Sequence, residues 1–226
     1  MKSELIEYMG SDLTVVNAAR VSFSKESDWE PPVTYHNANG TTTVKSELKQ
    51  GDAKLINYLA KHNHWTPFSH PQIMMREKVP IFVARQRFKH MVGFTYNEVS
   101  RRYVDDEPEF FVPDVWRSRP EGSVKQGSGD KEITGWEGSY QEYCQRSLEY
   151  YQDMLADGVA PEQARMVLPQ SMYTEYYVTG SLSAWARAYK QRIDAHAQVE
   201  IQDLAKQWGE IIAPLFPKSW EALTNE

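Results

Sequence analysis

The sequence predicts an α+β fold in a single domain, on the basis of its length, its composition and the order of its secondary-structure signals. The chain has 226 residues, of which 41% are hydrophobic and 25% are charged, as in ordinary globular domains. Helical and strand-like segments follow one another without a regular alternation of strand, helix and strand, which favours α+β over a doubly wound sheet. We expect residues 1–226 to form one domain, with a flexible insertion at about 118–138.

Turn residues and apolar spacing place the elements in order along the chain. Glycine, proline and aspartate mark the ends of segments, and apolar residues recur every three or four positions within helices. In the first half of the chain, the predicted elements are a strand over 5–9, a helix over 13–20 capped by Asp12, a long mobile loop over 24–43, a helix from Asp52 to about His62, a strand over 72–79, a helix from Pro80 to Gly93 and a short strand at 110–112. In the second half, they are a helix over 140–156, a short helix over 161–165, a strand over 172–178, a helix over 181–191 and a last helix over about 196–213.

Charge and cysteine content narrow the function classes. The net charge of −6 argues against non-specific coating of nucleic acid. The single cysteine, Cys144, excludes an internal disulfide and a multi-cysteine zinc site. The charged N-terminal stretch MKSELIEYMGSDL lacks the apolar centre of a signal peptide, and no apolar run reaches the ~18 residues of a membrane span. We therefore expect a cytoplasmic, soluble protein with neither nucleic-acid nor membrane partners.

Positive charge is concentrated in one segment of this acidic chain. Residues 76–103 carry seven lysine and arginine side chains against two glutamates, a local charge of +5 that is typical of an anion site. Arginine side chains and serine hydroxyls form charge-assisted hydrogen bonds with a phosphate monoester, and a carboxylate accepts hydrogen bonds from a ribose hydroxyl or an amide. We expect the stretch after the basic helix to fold back on it and form a nucleotide site. The residues brought together would be Lys89, His90, Glu98, Ser100 and Arg102.

Each of these features also has an ordinary structural explanation. A basic helix face is usually solvated, histidines in turns bond nearby carbonyls, and an arginine near a helix end, such as Arg165, interacts favourably with the helix dipole. Arg192, His196 and Glu200 follow one another at four-residue intervals, as in ion pairs on a helix surface.

Two other function classes remain open. A metal-dependent nucleotide hydrolase would use histidines, although the chain has no His-Glu-x-x-His motif. The candidate ligands are His62, His64, His70, His90 and His196. A nucleic-acid-binding module would stack bases on Tyr96 and Tyr103, which the acidic stretch 105–107 opposes. Bound zinc would favour the hydrolase, and salt-sensitive nucleic-acid binding would favour the binding module.

Five motifs, taken together and in order, resemble the flavin-dependent thymidylate synthases. They are His64-Trp-Thr-Pro-Phe-Ser-His70, Pro80-Ile-Phe-Val-Ala-Arg-Gln86, Asn97-Glu-Val-Ser-Arg-Arg-Tyr103, Arg165-Met-Val-Leu-Pro169 and Arg192-Ile-Asp-Ala-His-Ala-Gln-Val-Glu200, with weaker similarity at Ala18-Ala-Arg-Val-Ser-Phe23. Each motif alone is weak, whereas the five in order are specific. Lys89-His90-Met91 stands where the family has Arg-His-Arg, and Gly180 stands where it commonly has Asn.

The resemblance implies methylation of dUMP to dTMP, with methylenetetrahydrofolate as carbon donor, FAD as redox carrier and NADPH as reductant. It also implies short antiparallel strands and a homotetramer in which each active site combines more than one subunit. The residues it assigns to dUMP are Gln86, Arg87, Lys89, Glu98, Val99, Ser100, Arg101, Arg102, Arg165 and Arg192, of which Arg192 is catalytic and polarises the uracil ring. Those it assigns to FAD are His64, Thr66, Lys89, His90, Met91, Glu98, Gly180, Ser181, Leu182 and Arg187, and it implies no metal.

The lone cysteine agrees with this resemblance. Cysteine-dependent thymidylate synthases begin with a thiolate that adds to uracil, and such a thiolate needs an electropositive, partly exposed setting. Cys144 is predicted on an amphipathic helix, far in sequence from the basic segments, and we expect it to be structural. A chain without that nucleophile must activate uracil with fixed positive charge, for which Arg192 is the candidate.

Overall fold

The computed structural model describes residues 1–36, 42–104, 106–121 and 127–225, without side chains at 33, 35–36 and 42–45. The helices are α1 Asp12–Arg20, α2 Gln50–Lys61, α3 Ile81–Arg87, α4 Glu137–Ala156, α5 Pro161–Ala164, α6 Leu182–Arg192, α7 Val199–Ile212 and α8 Pro217–Thr224. The strands are β1 Lys2–Met9, β2 Val33–His36, β3 Thr42–Lys45, β4 Gln72–Pro80, β5 Phe94–Glu98, β6 Trp116–Arg117, β7 Glu132–Ile133 and β8 Tyr173–Ser181. Short 3-10 turns occur at Val21–Phe23, Thr66–Ser69 and Arg165–Val167.

The largest sheet contains four strands in the order β1-β4-β8-β5, and its neighbouring strands are antiparallel. Side chains of β4 alternate, so that Ile73, Met75 and Val79 are buried on one face. The core forms where helices cover this face, with Trp185 of α6 and Trp208 of α7 both fully buried. The mixed helix and antiparallel-sheet architecture is therefore confirmed.

Several predicted elements are confirmed closely. The strands over 72–79 and 172–178 correspond to β4 and β8, and the helix over 181–191 corresponds to α6. Ser181 caps α6 as its hydroxyl accepts a hydrogen bond from the Ala184 N–H at 3.3 Å. No helix in the described ranges is long and apolar enough to span a membrane.

Asp12 has a different role from the predicted one. Ser11 occupies the N-cap position of α1, and Asp12 is the first residue of that helix. Its buried carboxylate instead accepts hydrogen bonds from the backbone N–H groups of Lys218 and Ser219, both at 2.9 Å. Asp12 thus caps α8, a helix that the sequence reasoning missed.

Other predictions were wrong in extent. The 24–43 segment contains β2 and begins β3, which pair with each other, whereas residues 37–41 lie outside the described structure. The helix from Pro80 ends at Arg87, and residues 94–98 form β5. Within 118–138, β7 pairs with β6 and α4 begins at Glu137, whereas residues 122–126 lie outside the described structure. Phe110 forms an isolated bridge with Met172 rather than a strand.

Candidate active site

Arg192, the last residue of α6, is held in a fixed orientation by two acceptors. Its Nε donates to His90 Nε2 at 2.8 Å, and its Nη2 donates to the backbone oxygen of Gln86 at 3.2 Å. Both acceptors lie at the C-terminal end of α3 and in the turn that follows it. A guanidinium has five N–H donors, so three remain for other partners once these two bonds are made.

His90 accepts the Arg192 hydrogen bond because it is neutral. Its pKa is lowered to about 4, chiefly by burial and in addition by the nearby cations Arg192, Arg87 and Arg187. Since Nε2 is the acceptor, the proton of the neutral ring lies on Nδ1. Burial, together with repulsion from Arg87, also lowers the pKa of Arg192 from its ordinary value.

Arg87 lies in the core rather than in a ligand cavity. Its side chain has no exposed surface, and its Nε lies 3.2 Å from the buried Glu77 carboxylate. The guanidinium also lies 4.5–5.2 Å from the ring centres of Phe94, Tyr96, Trp185 and Trp208. The expectation that Arg87 contacts dUMP directly is therefore wrong for this conformation. Side chains alternate between the two faces of β4, so Glu77 lies on the same buried face as Met75 and Val79. This alternation was a sequence signal for the buried ion pair.

Tyr96 connects Arg87 to His90, whereas the sequence suggested it only as a base-stacking residue. Its hydroxyl accepts from Arg87 Nη1 at 2.5 Å and donates to the His90 backbone oxygen at 2.7 Å. Burial raises the pKa of Tyr96 to about 12, so the hydroxyl keeps its proton. The buried pair thus supports the turn that carries His90.

A second polar cluster contains the other predicted nucleotide residues. Glu98, Arg101 and Arg165 line a cavity of about 300 Å³ together with Val99 and Thr174. The Glu98 carboxylate accepts a hydrogen bond from Thr174 Oγ1 at 2.6 Å. Next to this cavity in sequence, Arg102 Nε donates to Ser100 Oγ at 3.4 Å and the Arg102 guanidinium lies 5.2 Å from the Tyr103 ring centre. Two guanidinium groups facing one cavity favour an anionic ligand.

The two clusters lie at opposite ends of the same elements. Ile81 at the start of α3 lines the second cavity, and Gln86 at its end contacts Arg192, about 7–8 Å further along the helix axis. Strand β5 carries Glu98 about 13 Å from Phe94, as it pairs with β8 and places Glu98 opposite Tyr176. The expected fold-back of Glu98, Ser100 and Arg102 onto Lys89 and His90 is therefore wrong in the described part of a single chain.

Cys144 lies inside α4, as predicted. The residue is buried, and its Sγ lies 4.0 Å from Ser171 Oγ. A buried thiol of this kind is poorly placed to attack a substrate.

The third predicted segment does not form one helix surface. Arg192 ends α6, His196 lies in the connection and bonds Asp194, and Glu200 lies in the first turn of α7. The alternative explanation was a set of ion pairs between these three residues on one helix surface. In the described segment they do not share a helix, so these ion pairs do not form. The described residues contain no group of three or more His, Cys, Asp or Glu side chains that could hold a metal.

Comparison with known proteins identifies the family. The family model described as thymidylate synthase complementing protein matches residues 4–218. Flavin-dependent thymidylate synthase of Thermosipho africanus is 36% identical over 221 residues, 96% of this chain and 88% of that protein. An enzyme of the same name from Thermus thermophilus is 35% identical over 96% of this chain and 73% of its own. The chain belongs to the flavin-dependent thymidylate synthase family.

Solved structures agree with this assignment. The UMP/dUMP methylase PolB from Streptomyces cacaoi, bound with 5-Br dUMP, is 30% identical and has a TM-score of 0.74, over 99% of this chain and 94% of that one. A second structure of PolB, bound with 5-Br UMP, is 31% identical with the same TM-score over 99% of this chain and 93% of that one.

Residues assigned to the family's flavin fall into an exposed and a buried group. Arg187 donates to the Val92 backbone oxygen, so it lies against the turn that carries the exposed Lys89 and Met91. Thr66 and His64 are exposed, and the turn that contains Thr66 joins α6 through Ser69 and Ser183, whose hydroxyls lie 2.8 Å apart. Exposed lysine, arginine and threonine are a donor set that fits an anionic diphosphate.

Gly180, Ser181 and Leu182 serve the fold in the described structure. A Cβ added at Gly180 would overlap the Phe94 ring, Ser181 caps α6, and Leu182 is fully buried. The backbone of this segment is also bonded within the fold, since the N–H groups of Ser181 and Leu182 donate to the backbone oxygens of Gly93 and Pro71 at 3.3 and 3.0 Å.

Proposed function

We propose that this protein methylates C5 of dUMP to form dTMP, as a cytoplasmic enzyme with methylenetetrahydrofolate as carbon donor, FAD as redox carrier and NADPH as reductant. Family membership supports the reaction. The observation that carries it is Arg192, a partly buried guanidinium held by His90 and the Gln86 backbone with three donors left for a ligand.

Arg192 supplies the electrostatic part of the chemistry. C5 of uracil donates the electron pair of its new bond to the incoming carbon, so it becomes reactive when the ring carries negative charge on its O4 and N3 side. A guanidinium that is already oriented stabilises this charge without reorganising, and partial burial strengthens the interaction. Because His90 is neutral, it orients the Arg192 guanidinium without adding a second positive charge.

The second cluster supplies the phosphate contacts. Arg101 and Arg165, which line one cavity, bind the phosphate oxygens in this proposal, and Ser100 and Arg102 adjoin Arg101 in sequence. Glu98, which lines the same cavity, accepts hydrogen bonds from a ribose hydroxyl or from uracil N–H. Val99 contributes an apolar wall.

When bound, the flavin supplies hydride transfer, which the protein's own side chains cannot perform. Lys89, Arg187 and Thr66 hold its diphosphate, and His64 borders the flavin and folate cavity. Met91 cannot make the guanidinium contact of the family's usual arginine, so Lys89 and Arg187 carry the positive charge there.

We further propose a homotetramer in which the first cluster of one subunit and the second cluster of another bind the same dUMP molecule. The separation of the clusters along α3 and β5 supports this arrangement.

Turnover by the purified, FAD-loaded protein tests the proposal. With NADPH, methylenetetrahydrofolate and dUMP, we expect dTMP, detected by chromatography. UMP is offered in parallel because PolB is named a UMP/dUMP methylase. Cys144→Ala is expected to keep most of this activity, since the thiol is buried. Absence of methylated product, or complete loss of activity in a folded Cys144→Ala protein, contradicts the proposal.

A further inference from the structure

A chain of hydrogen bonds joins the hairpin of β6 and β7 to Gln86. Arg117 of β6 donates from Nε to Ser128 Oγ at 2.8 Å and forms an ion pair through Nη2 with Glu200. The Glu200 carboxylate accepts from Gln198 Nε2 at 2.9 Å. The Gln198 side-chain oxygen then accepts a hydrogen bond from the side-chain amide of Gln86.

Glu200 fixes the middle of this chain. It is 6% exposed and lies in the first turn of α7. One carboxylate oxygen accepts from Arg117 and the other from Gln198. A carboxylate this buried is costly to leave unpaired, so both partners are held to it.

The orientation of the Gln198 side chain depends on its hydrogen bonds and not on tight packing. Gln198, Glu200 and Arg117 border a cavity of about 310 Å³, which gives the Gln198 side chain room to move. Without Glu200 and its Arg117 partner, Gln198 has no fixed direction in which to present its oxygen to Gln86.

The orientation of Gln86 matters at the nucleotide site. Its side-chain amide bonds Gln198, and its backbone oxygen accepts from Arg192. Both the side chain and the backbone of Gln86 are thus fixed by hydrogen bonds. The second N–H of its side-chain amide and its side-chain oxygen therefore have a fixed orientation.

We propose that Arg117 and Gln198 are positioning residues that orient Gln86 for dUMP. The inference rests on the proposed function. It also gives a role to Ser128, which lies in the predicted insertion at about 118–138 and whose hydroxyl accepts a hydrogen bond from Arg117.

The test measures dUMP affinity by calorimetry on the FAD-loaded protein, with FAD affinity and melting temperature measured alongside. Arg117→Ala removes the cation that pairs with Glu200. Gln198→Met breaks the hydrogen bond to Gln86 but keeps the Arg117–Glu200 pair, so its effect is not caused by an unpaired buried carboxylate. Arg119→Ala is the matched control, because Arg119 is an exposed arginine two residues further along. Each change is also combined with Gln86→Ala.

We expect Arg117→Ala and Gln198→Met to weaken dUMP binding about tenfold, a common coupling within one hydrogen-bond network. FAD affinity should be unchanged, Arg119→Ala should match the wild type, and neither change should weaken binding further in the Gln86→Ala background. If both variants bind dUMP as tightly as the wild type, or if their losses of dUMP affinity add to that of Gln86→Ala, the inference is overturned while the proposed function stands. A wild-type protein that neither binds nor methylates dUMP overturns the proposed function instead.

Discussion

Arg192 is the residue on which the proposed chemistry depends, and its surroundings are built from neutral acceptors. His90 Nε2 and the Gln86 carbonyl take two of its donors. No carboxylate is among the described hydrogen-bond partners of Arg192. A carboxylate would neutralise the guanidinium, whereas these neutral acceptors leave its charge available to the substrate.

Substitution of Arg192 tests this role directly. Arg192→Ala should lower kcat by roughly 10²–10³-fold, the usual effect of removing one oriented donor from a developing anion. The dissociation constant for dUMP should rise much less, since the interaction strengthens in the transition state. Single-turnover rates and equilibrium binding give the two numbers. Equal losses in both would make Arg192 a simple binding residue.

The neutral state of His90 predicts a pH dependence of stability. The pKa of His90 is about 4 in the folded protein and 6.5 in an unperturbed histidine. Between these values the unfolded chain binds a proton that the folded chain does not, so the free energy of unfolding falls as pH falls from 6.5 towards 4.

Denaturant titrations at pH 7 and pH 5 check this linkage with His90→Gln as the comparison. Acidification should cost the wild type about 1–2 kcal/mol more than the variant. Parallel losses in both proteins would show that His90 is not the group responsible.

On the scale of the elements, packing within strand β8 requires a glycine at position 180. The strand pairs with both β4 and β5, and a Cβ at Gly180 would overlap the Phe94 ring. Gly180→Ala should therefore lower the free energy of unfolding by about 1–3 kcal/mol. Gly51→Ala is the control, because a Cβ there meets nothing within 4 Å in α2 and should be neutral or slightly stabilising. Equal melting temperatures of the two variants would contradict this assignment.

The elements that local signals define were predicted well. The Ser181 cap marks α6, and the alternation of apolar residues marks β4 and β8, because these signals act within a few residues. Strand β5 and the cap of α8 depend on distant partners instead. β5 forms by pairing with β8, and the α8 cap comes from Asp12 near the other end of the chain.

The same distinction applies to the candidate site. The residue types and motifs identified Gln86, His90 and Arg192 individually. Their contact depends on how α6 crosses the end of α3, which no local pattern encodes. The burial of Arg87 depends likewise on Glu77 of β4 and on four aromatic rings from β5, α6 and α7.

On the scale of the whole molecule, the fold separates two positively charged clusters by the length of α3 and β5. One contains Arg192 with His90, and the other contains Arg101 and Arg165 with Glu98. A nucleotide has a charged phosphate at one end and a polar ring at the other. The cluster of Arg101 and Arg165 suits the phosphate, and the cluster of Arg192 suits the ring. Assembly of several copies of the chain is the proposed means by which they meet across one ligand.

A crystal structure of the assembled protein with FAD and dUMP is the most direct measurement. We expect the phosphate to contact Arg101 and Arg165 of one subunit while the uracil ring contacts Arg192 of another. If Arg165 and Arg192 instead face separate regions of solvent in the oligomer and share no ligand, activation of uracil by fixed positive charge in this pocket is refuted.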